Sequence, residues 1–466
     1  MKRTSGLRGA LRGTALGLGL VAGLWSAAAD AQSLADAMAQ AYYNNPTLNA
    51  QRAQLRAQDE LLPQAYSNYR PFVTLDGNVG VQGTDTNVSD WDSNIPGGAG
   101  LSVVQPLYRG GRSDAEVGRA NNLIQSQRAV LFDTEQLVLL DAVTVYTNVV
   151  RDVAVLDLAQ NNEEVIGRQL EATRDRFEVG EVTRTDVAQA EARLATAKAD
   201  RVRAEGNLVS SKASFRRVIG VEAVALERPQ PLTDMPVNEI EAFRIAEAEH
   251  PAIIAAKFAE QAARDDVRIT EGTLLPEINL RGTVERSYDE FGLADRQDIA
   301  SLRAEISIPI YTAGLNTSLV RQDKQIAGQR RIEIDEQRRR VIEGVTLAWE
   351  DYLTAQAQIE AFREGVRAAE IALEGLQKEA LVGARTVLDV LDGEQELFQA
   401  RVDLVVAQRD LVVATYALQA ALGRLSAKHL ALPVEPYDFE AYYETVREKW
   451  SGTEVPAVEP GLAAAE

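Results

Sequence analysis

Two hydrophobic periods alternate along this chain. From residue 390 onward, Val390, Leu397, Leu404, Leu411 and Leu418 recur every seven positions. Three places later Gly393, Ala400, Ala407, Ala414 and Ala421 do the same. A heptad with one large and one small seam, kept over more than four repeats, predicts a helix packed closely along a partner helix. An earlier stretch carries the same pattern: Val187, Leu194, Arg201, Leu208 and Phe215, with Ala190, Ala197, Ala204, Ser211 and Val218. Only Arg201 breaks its large seam. Val138, Ala142, Val145, Val149 and Leu156 give the facing helix its 3–4 spacing.

Elsewhere the period is two. Val73, Leu75, Val79 and Val81 alternate with Thr74, Asp76, Asn78 and Gln82 in Phe72–Gln82. Ile278, Leu280 and Val284 alternate with Asn279, Arg281 and Thr283 in Glu277–Glu285, as do Leu302 to Ile310 with Arg303, Glu305 and Ser307. Gly100–Leu107 is a weaker fourth run. Each reads as a strand with one apolar and one polar face. Roughly ten residues of such alternation suit a tilted membrane β-strand. Turn-rich segments, Asp85–Gly98 and Ser287–Asp298, separate the members of each pair. Tyr66, Tyr69, Phe72 and Tyr108, then Tyr288, Phe291 and Tyr311, cluster at the strand ends, where an interfacial girdle would lie.

Glycine and proline divide the helical windows. No proline occurs from Leu107 to Arg228 or from Ile310 to Leu432. Each window is cut once by a glycine, 68 residues after Arg112 at Gly180 and 68 after Leu315 at Gly383. Such helices would each be ~100 Å long. The windows repeat one another. Pro46, Pro71 and Gly77 match Pro251, Pro276 and Gly282 at an offset of 205. Pro106, Tyr108, Gly111, Gly180, Asp186, Glu191 and Gly220 match Pro309, Tyr311, Gly314, Gly383, Asp389, Glu394 and Gly423 at an offset of 203. A duplicated unit of this length predicts two similar blocks: residues 32–228 and 229–430. Each holds a strand pair and a long helical hairpin. A short helix, Asn238–Glu249, mirrors Leu34–Asn45; these helices are expected to belt the rods at mid-length. Residues 431–466 mix proline, acids and aromatics and are read as an equatorial segment followed by a disordered tail.

The start of the chain changes the compartment. Lys2, Arg3, Arg8 and Arg12 precede an apolar run, Ala15–Leu24, and the small residues Ala27–Ala31, which together read as a signal peptide over residues 1–31. Removing it takes the formal charge from −20 to −23, because it carries four basic residues and one aspartate. That charge opposes nucleic acid and anionic surfaces as partners. The chain has no cysteine and two histidines, His250 and His429. Disulfides, thiolate metal sites and thiol nucleophiles are excluded, and no third partner completes a catalytic triad. No enzyme, cofactor or metal is expected.

Four strands cannot close a membrane barrel, since the smallest have about eight. An open sheet would leave edges unsatisfied in lipid. If these strands lie in a membrane, several copies share one barrel.

At this point the residues resemble a known family. Two repeats, each with a strand pair, Pro-x-Tyr-x-x-Gly (Pro106–Gly111, Pro309–Gly314) and a Val-Gly helical tip, are similar to the TolC family of outer-membrane efflux and secretion channels, in its unlipidated form. The resemblance implies a mainly α fold with membrane β structure: a trimer with a shared twelve-stranded β-barrel continuing into a long α-helical barrel of antiparallel coiled coils. It also implies an exit duct in the Gram-negative outer membrane, serving type I protein secretion, multidrug efflux or both. The partners it implies are a periplasmic adaptor and an inner-membrane ABC or proton-driven pump. A periplasmic coiled-coil adaptor is the alternative, but it leaves the strand pairs unexplained.

The tips carry the candidate site. Gly180 and Gly383 suit left-handed helix ends, and the tip turns are the expected adaptor-docking points. Thr183 with Asp186, and Thr386 with Asp389, are spaced as capping boxes. That spacing accounts for one aspartate per tip and leaves Asp392 unexplained. By the resemblance, Asp389 and Asp392 line the channel constriction, where divalent cations could block the pore, and Arg385 is a gate latch tying the inner hairpin to the outer one near Thr185 and Asp186. The family prototype has a tyrosine where this chain has Ala380, so a weaker lock is expected.

Overall fold

The computed structural model describes residues 32–86, 89–288 and 296–456. The leader assigned to residues 1–31, Phe291 of the girdle and the end of the tail lie outside these. Three short helices open the fold: α1 (Leu34–Asn44), α2 (Pro46–Asp59) and α3 (Leu61–Ser67). Strands β1 (Phe72–Val79), β2 (Gln82–Thr86), β3 (Ser89–Asn94) and β4 (Gly97–Arg109) follow, then the helical hairpin α4 (Arg112–Glu178) and α5 (Arg184–Ile219). The second half repeats this order: α6 (Glu239–Glu249), α7 (Pro251–Gly272), β5 (Glu277–Tyr288), β6 (Gln297–Ser307), α8 (Leu315–Leu381) and α9 (Val387–Ala421). Helix α10 (Phe439–Arg447) closes the chain.

The long helices α4 and α8 have 67 residues each. Left-handed Gly111 and Gly314 precede them, and left-handed Gly180 and Gly383 follow. Helices α5 and α9 pack on α4 and α8 through the small seam that the heptads predict. Ala190, Ala197, Ala204 and Ser211 are buried on α5, and Gly393, Ala407 and Ala414 on α9. A methyl group at Gly393 would lie 2.9 Å from the Leu376 Cδ1 and 3.3 Å from the Leu373 Cδ1, so the side chains of α8 fill the space that the glycine leaves. Toward the sheet the return helices give way to α2 beside α4 and α7 beside α8. None of the described helices is long and apolar enough to cross a membrane.

The four strands β1-β4-β5-β6 form one antiparallel sheet in that order. Phe72 faces Val104 in the first hairpin, and Glu277 faces Ser307 in the second. The repeat offsets of 205 and 203 carry the first pair onto the second, so both hairpins share one register. Two details depart from the sequence expectation. The turn-rich segment Asp85–Gly98 contains part of a second hairpin, β2–β3, which pairs separately from the main sheet. Strand β6 ends at Ser307, whereas the alternation runs on to Ile310. Among the described residues no strand pairs with Ile308–Ile310 to continue the ladder.

A belt surrounds mid-length. Tyr146, buried on α4, donates to the carbonyls of Gln32 (2.7 Å) and Glu227 (2.8 Å), fixing the start of the first repeat against the linker. Helix α10 lies on α2, α3 and α4. Tyr442 donates to Glu60 at 2.7 Å, and Arg128 sits over the Phe439 ring at 4.8 Å. Beneath them Asp59 is 1% exposed, with no hydrogen-bond partner for either carboxylate oxygen. Burial pushes its pKa up to about 7, against the opposing pull of Arg128. A carboxyl raised in this way withdraws stability as pH rises from about 4 through about 7.

Candidate channel mouth and barrel wall

Each helical tip is a short turn whose geometry follows from its sequence. At the outer tip Gly180 takes φ 81° and Thr183 caps α5. The Thr183 hydroxyl and backbone N–H each donate to Asp186 at 2.8 Å, and Asp186 N–H returns a bond to the threonine oxygen at 3.2 Å. The inner tip repeats this, with Gly383 at φ 75°. Thr386 N–H and hydroxyl donate to Asp389 at 2.8 and 2.7 Å. These bonds, with Arg385 nearby, hold the Asp389 carboxyl below the usual carboxylate range. Asp186 and Asp389 are therefore structural caps as well as candidate site residues.

The other candidates fall differently. Arg385 bonds Glu379 at 2.9 Å, within its own hairpin. The expected tie from Arg385 to Thr185 and Asp186 is not made within one chain, because Glu379 stands six residues upstream and takes the guanidinium first. Asp392 instead accepts from Arg193 of α5. That ion pair joins the two repeats across the hairpins, and Val387 and Leu391 of α9 pack beside it against Ile166, Leu170, Ala190 and Ala197. Arg193 was not among the residues singled out from sequence. It flanks Leu194 of the heptad seam, where a charge looks like an ordinary solvated border; its distance of 199 residues from Asp392 hides the pairing. Ala380 packs against the buried cluster of Ala369, Leu373, Val390 and Leu397 between α8 and α9, and its methyl side chain offers no polar link.

At the other end of the rods the sheet has two distinct faces. Val73, Leu75, Val79, Val284, Leu302 and Ile306 lie on one side and are exposed. On the other, four hydroxyl residues cross the sheet in register, Thr74, Ser102, Thr283 and Ser301. Thr74 and Ser102 bond at 2.5 Å, Thr283 and Ser301 at 2.7 Å. Arg281 bonds Glu305 at 3.2 Å on the same face. An apolar exterior with a polar interior is the profile of a membrane barrel wall around an aqueous lumen. Among the described residues β1 and β6 each have one side with no strand alongside.

A sheet of this profile continued by paired coiled coils defines an outer-membrane channel. The sequence profile of the outer membrane efflux proteins matches residues 37–221 and 243–424, and the chain belongs to that family. The outer membrane efflux protein BepC of Brucella suis is 36% identical over 431 residues, covering 92% of this chain and 93% of BepC. The outer membrane protein TolC of Escherichia coli is 26% identical over 437 residues, covering 89% and 86%. In fold, the solved structure of the outer membrane protein VceC of Vibrio cholerae matches with a TM-score of 0.73 at 19% identity, covering 84% of this chain and 96% of VceC. The protein is an exit duct of the Gram-negative outer membrane, in a family of channels and transport proteins. The adaptor alternative falls with this assignment.

Proposed function

We propose that three copies, each organised as two repeats over 32–228 and 229–430, close one twelve-stranded barrel and one helical tunnel. A periplasmic adaptor and an inner-membrane pump complete the export machine, and the duct itself performs no catalysis. The observation that carries this reading is the four-stranded sheet, exposed on its apolar face and open at both edges. In lipid such edges need partners, and second copies supply them. The number three is what the family resemblance implies. The cargo, protein or small molecule, is chosen by the pump.

The mouth is the selective point. Around a three-fold axis the Asp389 and Asp392 carboxylates of all copies converge, hold hydrated cations and bar anions. Here Asp389 keeps its charge within its cap, while Asp392 is paired with Arg193, so one of the two carboxylates of each copy is neutralised in the resting mouth. An adaptor offering better partners to the tips around Gly180 and Gly383 would shift the mouth toward opening. Planar-bilayer recording tests the assignment. The wild type is expected to give cation-selective steps that divalent cations block, and Asp389→Ala with Asp392→Ala is expected to abolish that block. Unaltered block in the double variant places selectivity elsewhere.

A further inference from the structure

We propose that the seam between neighbouring copies repeats the internal β4–β5 joint residue for residue, so that β6 of one copy pairs antiparallel with β1 of the next and Glu305 stands opposite the next copy's Asn78. The proposal rests on the three-copy reading above and adds the register, which that reading leaves open.

The internal joint supplies the template. Both hairpins have one register, so β4 meets β5 as the end of one repeat meeting the start of another. In that joint Leu101 faces Val284, Ser102 faces Thr283, Val103 faces Gly282 and Gln105 faces Leu280. The ladder then shifts by one residue between Pro106 and Tyr108, and Tyr108 faces Ile278. Moving β4 forward by 203 and β5 back by 205 gives the seam. Ala304 meets Val79, Glu305 meets Asn78, Ile306 meets Gly77 and Ile308 meets Leu75. After a matching shift between Pro309 and Tyr311, Tyr311 meets Val73.

Because both hairpins share one register, the transfer keeps like faces together. Every apolar residue of β6 named above lands on the apolar face of β1, and Glu305 lands beside Asn78 on the lumen face. A slip of one residue would put Glu305 into lipid, because side chains alternate with period two. A slip of two would preserve the faces; it departs only from the template, in which Ser102 faces Thr283.

Exposure agrees with an unmade joint. Ile310 and Tyr311 are 94% and 87% exposed. Their repeat equivalents, Leu107 and Tyr108, lie within β4, which stays paired to Arg109. The second repeat leaves the ladder earlier because its partner strand belongs to another copy.

The chain has no cysteine, so disulfide cross-linking of the full-length protein in isolated outer membranes reads the register directly. Three double variants are compared under one oxidant: Glu305→Cys with Asn78→Cys, Glu305→Cys with Asp76→Cys, and Glu305→Cys with Gly80→Cys. Directly opposed Cβ atoms fit a disulfide, whereas diagonal neighbours stand ~7 Å apart, beyond its reach. Ser102→Cys with Thr283→Cys, the internal counterpart, controls for oxidation and folding and is expected to link within one chain. The Glu305/Asn78 pair is expected to run as a covalent trimer on a non-reducing gel, with the shifted pairs remaining monomeric. A trimer band from a shifted pair instead, or from none of the three while the uncross-linked protein is a trimer by mass, overturns the register and leaves the three-copy reading standing. No band with a monomeric protein overturns both.

Discussion

Gly110→Ala is expected to lower the thermal midpoint by roughly 10 °C and to leave little assembled protein in the outer membrane. Gly110 has φ 64° at the point where β4 turns into α4. A methyl group there would lie 2.3 Å from the carbonyl oxygen of Gly272 and 2.9 Å from Leu275 Cβ. Gly272 is as confined, since its own methyl would meet Arg112 Cγ at 2.4 Å and Gly110 O at 2.7 Å. Two backbones touch here, and neither can yield without moving a strand. The repeat separates this cause from backbone strain. Ala313 occupies the equivalent position of the second block at φ 51°, so alanine tolerates the conformation itself. The cost at Gly110 therefore comes mainly from the close approach, on the order of 3–5 kcal/mol. Gly111→Ala is the control. Gly111 is also left-handed, but nothing lies within 4 Å of its methyl position, and the substitution should cost about 1 kcal/mol. Equal losses at the two positions, read by thermal unfolding of the purified protein, would refute the close-approach account.

Arg193→Ala is expected to raise single-channel conductance by releasing Asp392 and the inner hairpin. A half-exposed ion pair is worth only about 0.3–1 kcal/mol. In the proposed three-copy assembly each copy contributes one such pair, so the closed state would lose about 3 kcal/mol, a shift on the order of 100-fold toward opening. Asp392→Ala should act in the same direction, and the double variant should add little to either single one, because both remove the same link. High salt should narrow the difference from wild type. Arg385→Ser is the comparison. Its guanidinium is engaged within its own hairpin by Glu379, so a rise there comparable to that of Arg193→Ala would restore Arg385 as a latch across copies. Unchanged conductance in Arg193→Ala would remove the Arg193–Asp392 tie from the gate.

The long elements were legible because their signals are dense. Proline-free windows closed by glycines placed α4 and α8 to within a residue at each end, since proline and left-handed glycine act locally. The alternating faces of β1 and β5 were equally plain. What escaped depended on contacts distant in sequence. The β2–β3 hairpin lies in a run of Asp, Ser, Asn and Gly whose composition reads as loop, and only the pairing of Gln82 with Asn94 and Gly83 with Ser93 reveals strands. The stretch Ile308–Ile310 alternates like a strand but has no strand partner among the described residues. At the mouth, the capping boxes could be read from four-residue spacing. The pairing of Asp392 with Arg193 could not, because it depends on how two hairpins of different repeats align.

Among the described residues one chain brings four strands to its main sheet, too few to seal itself in lipid. Native mass spectrometry of the detergent-purified protein tests it most directly. A single species at three times the chain mass is the expected result. A species at one chain mass, stable in the same detergent and still conducting in bilayers, would contradict it.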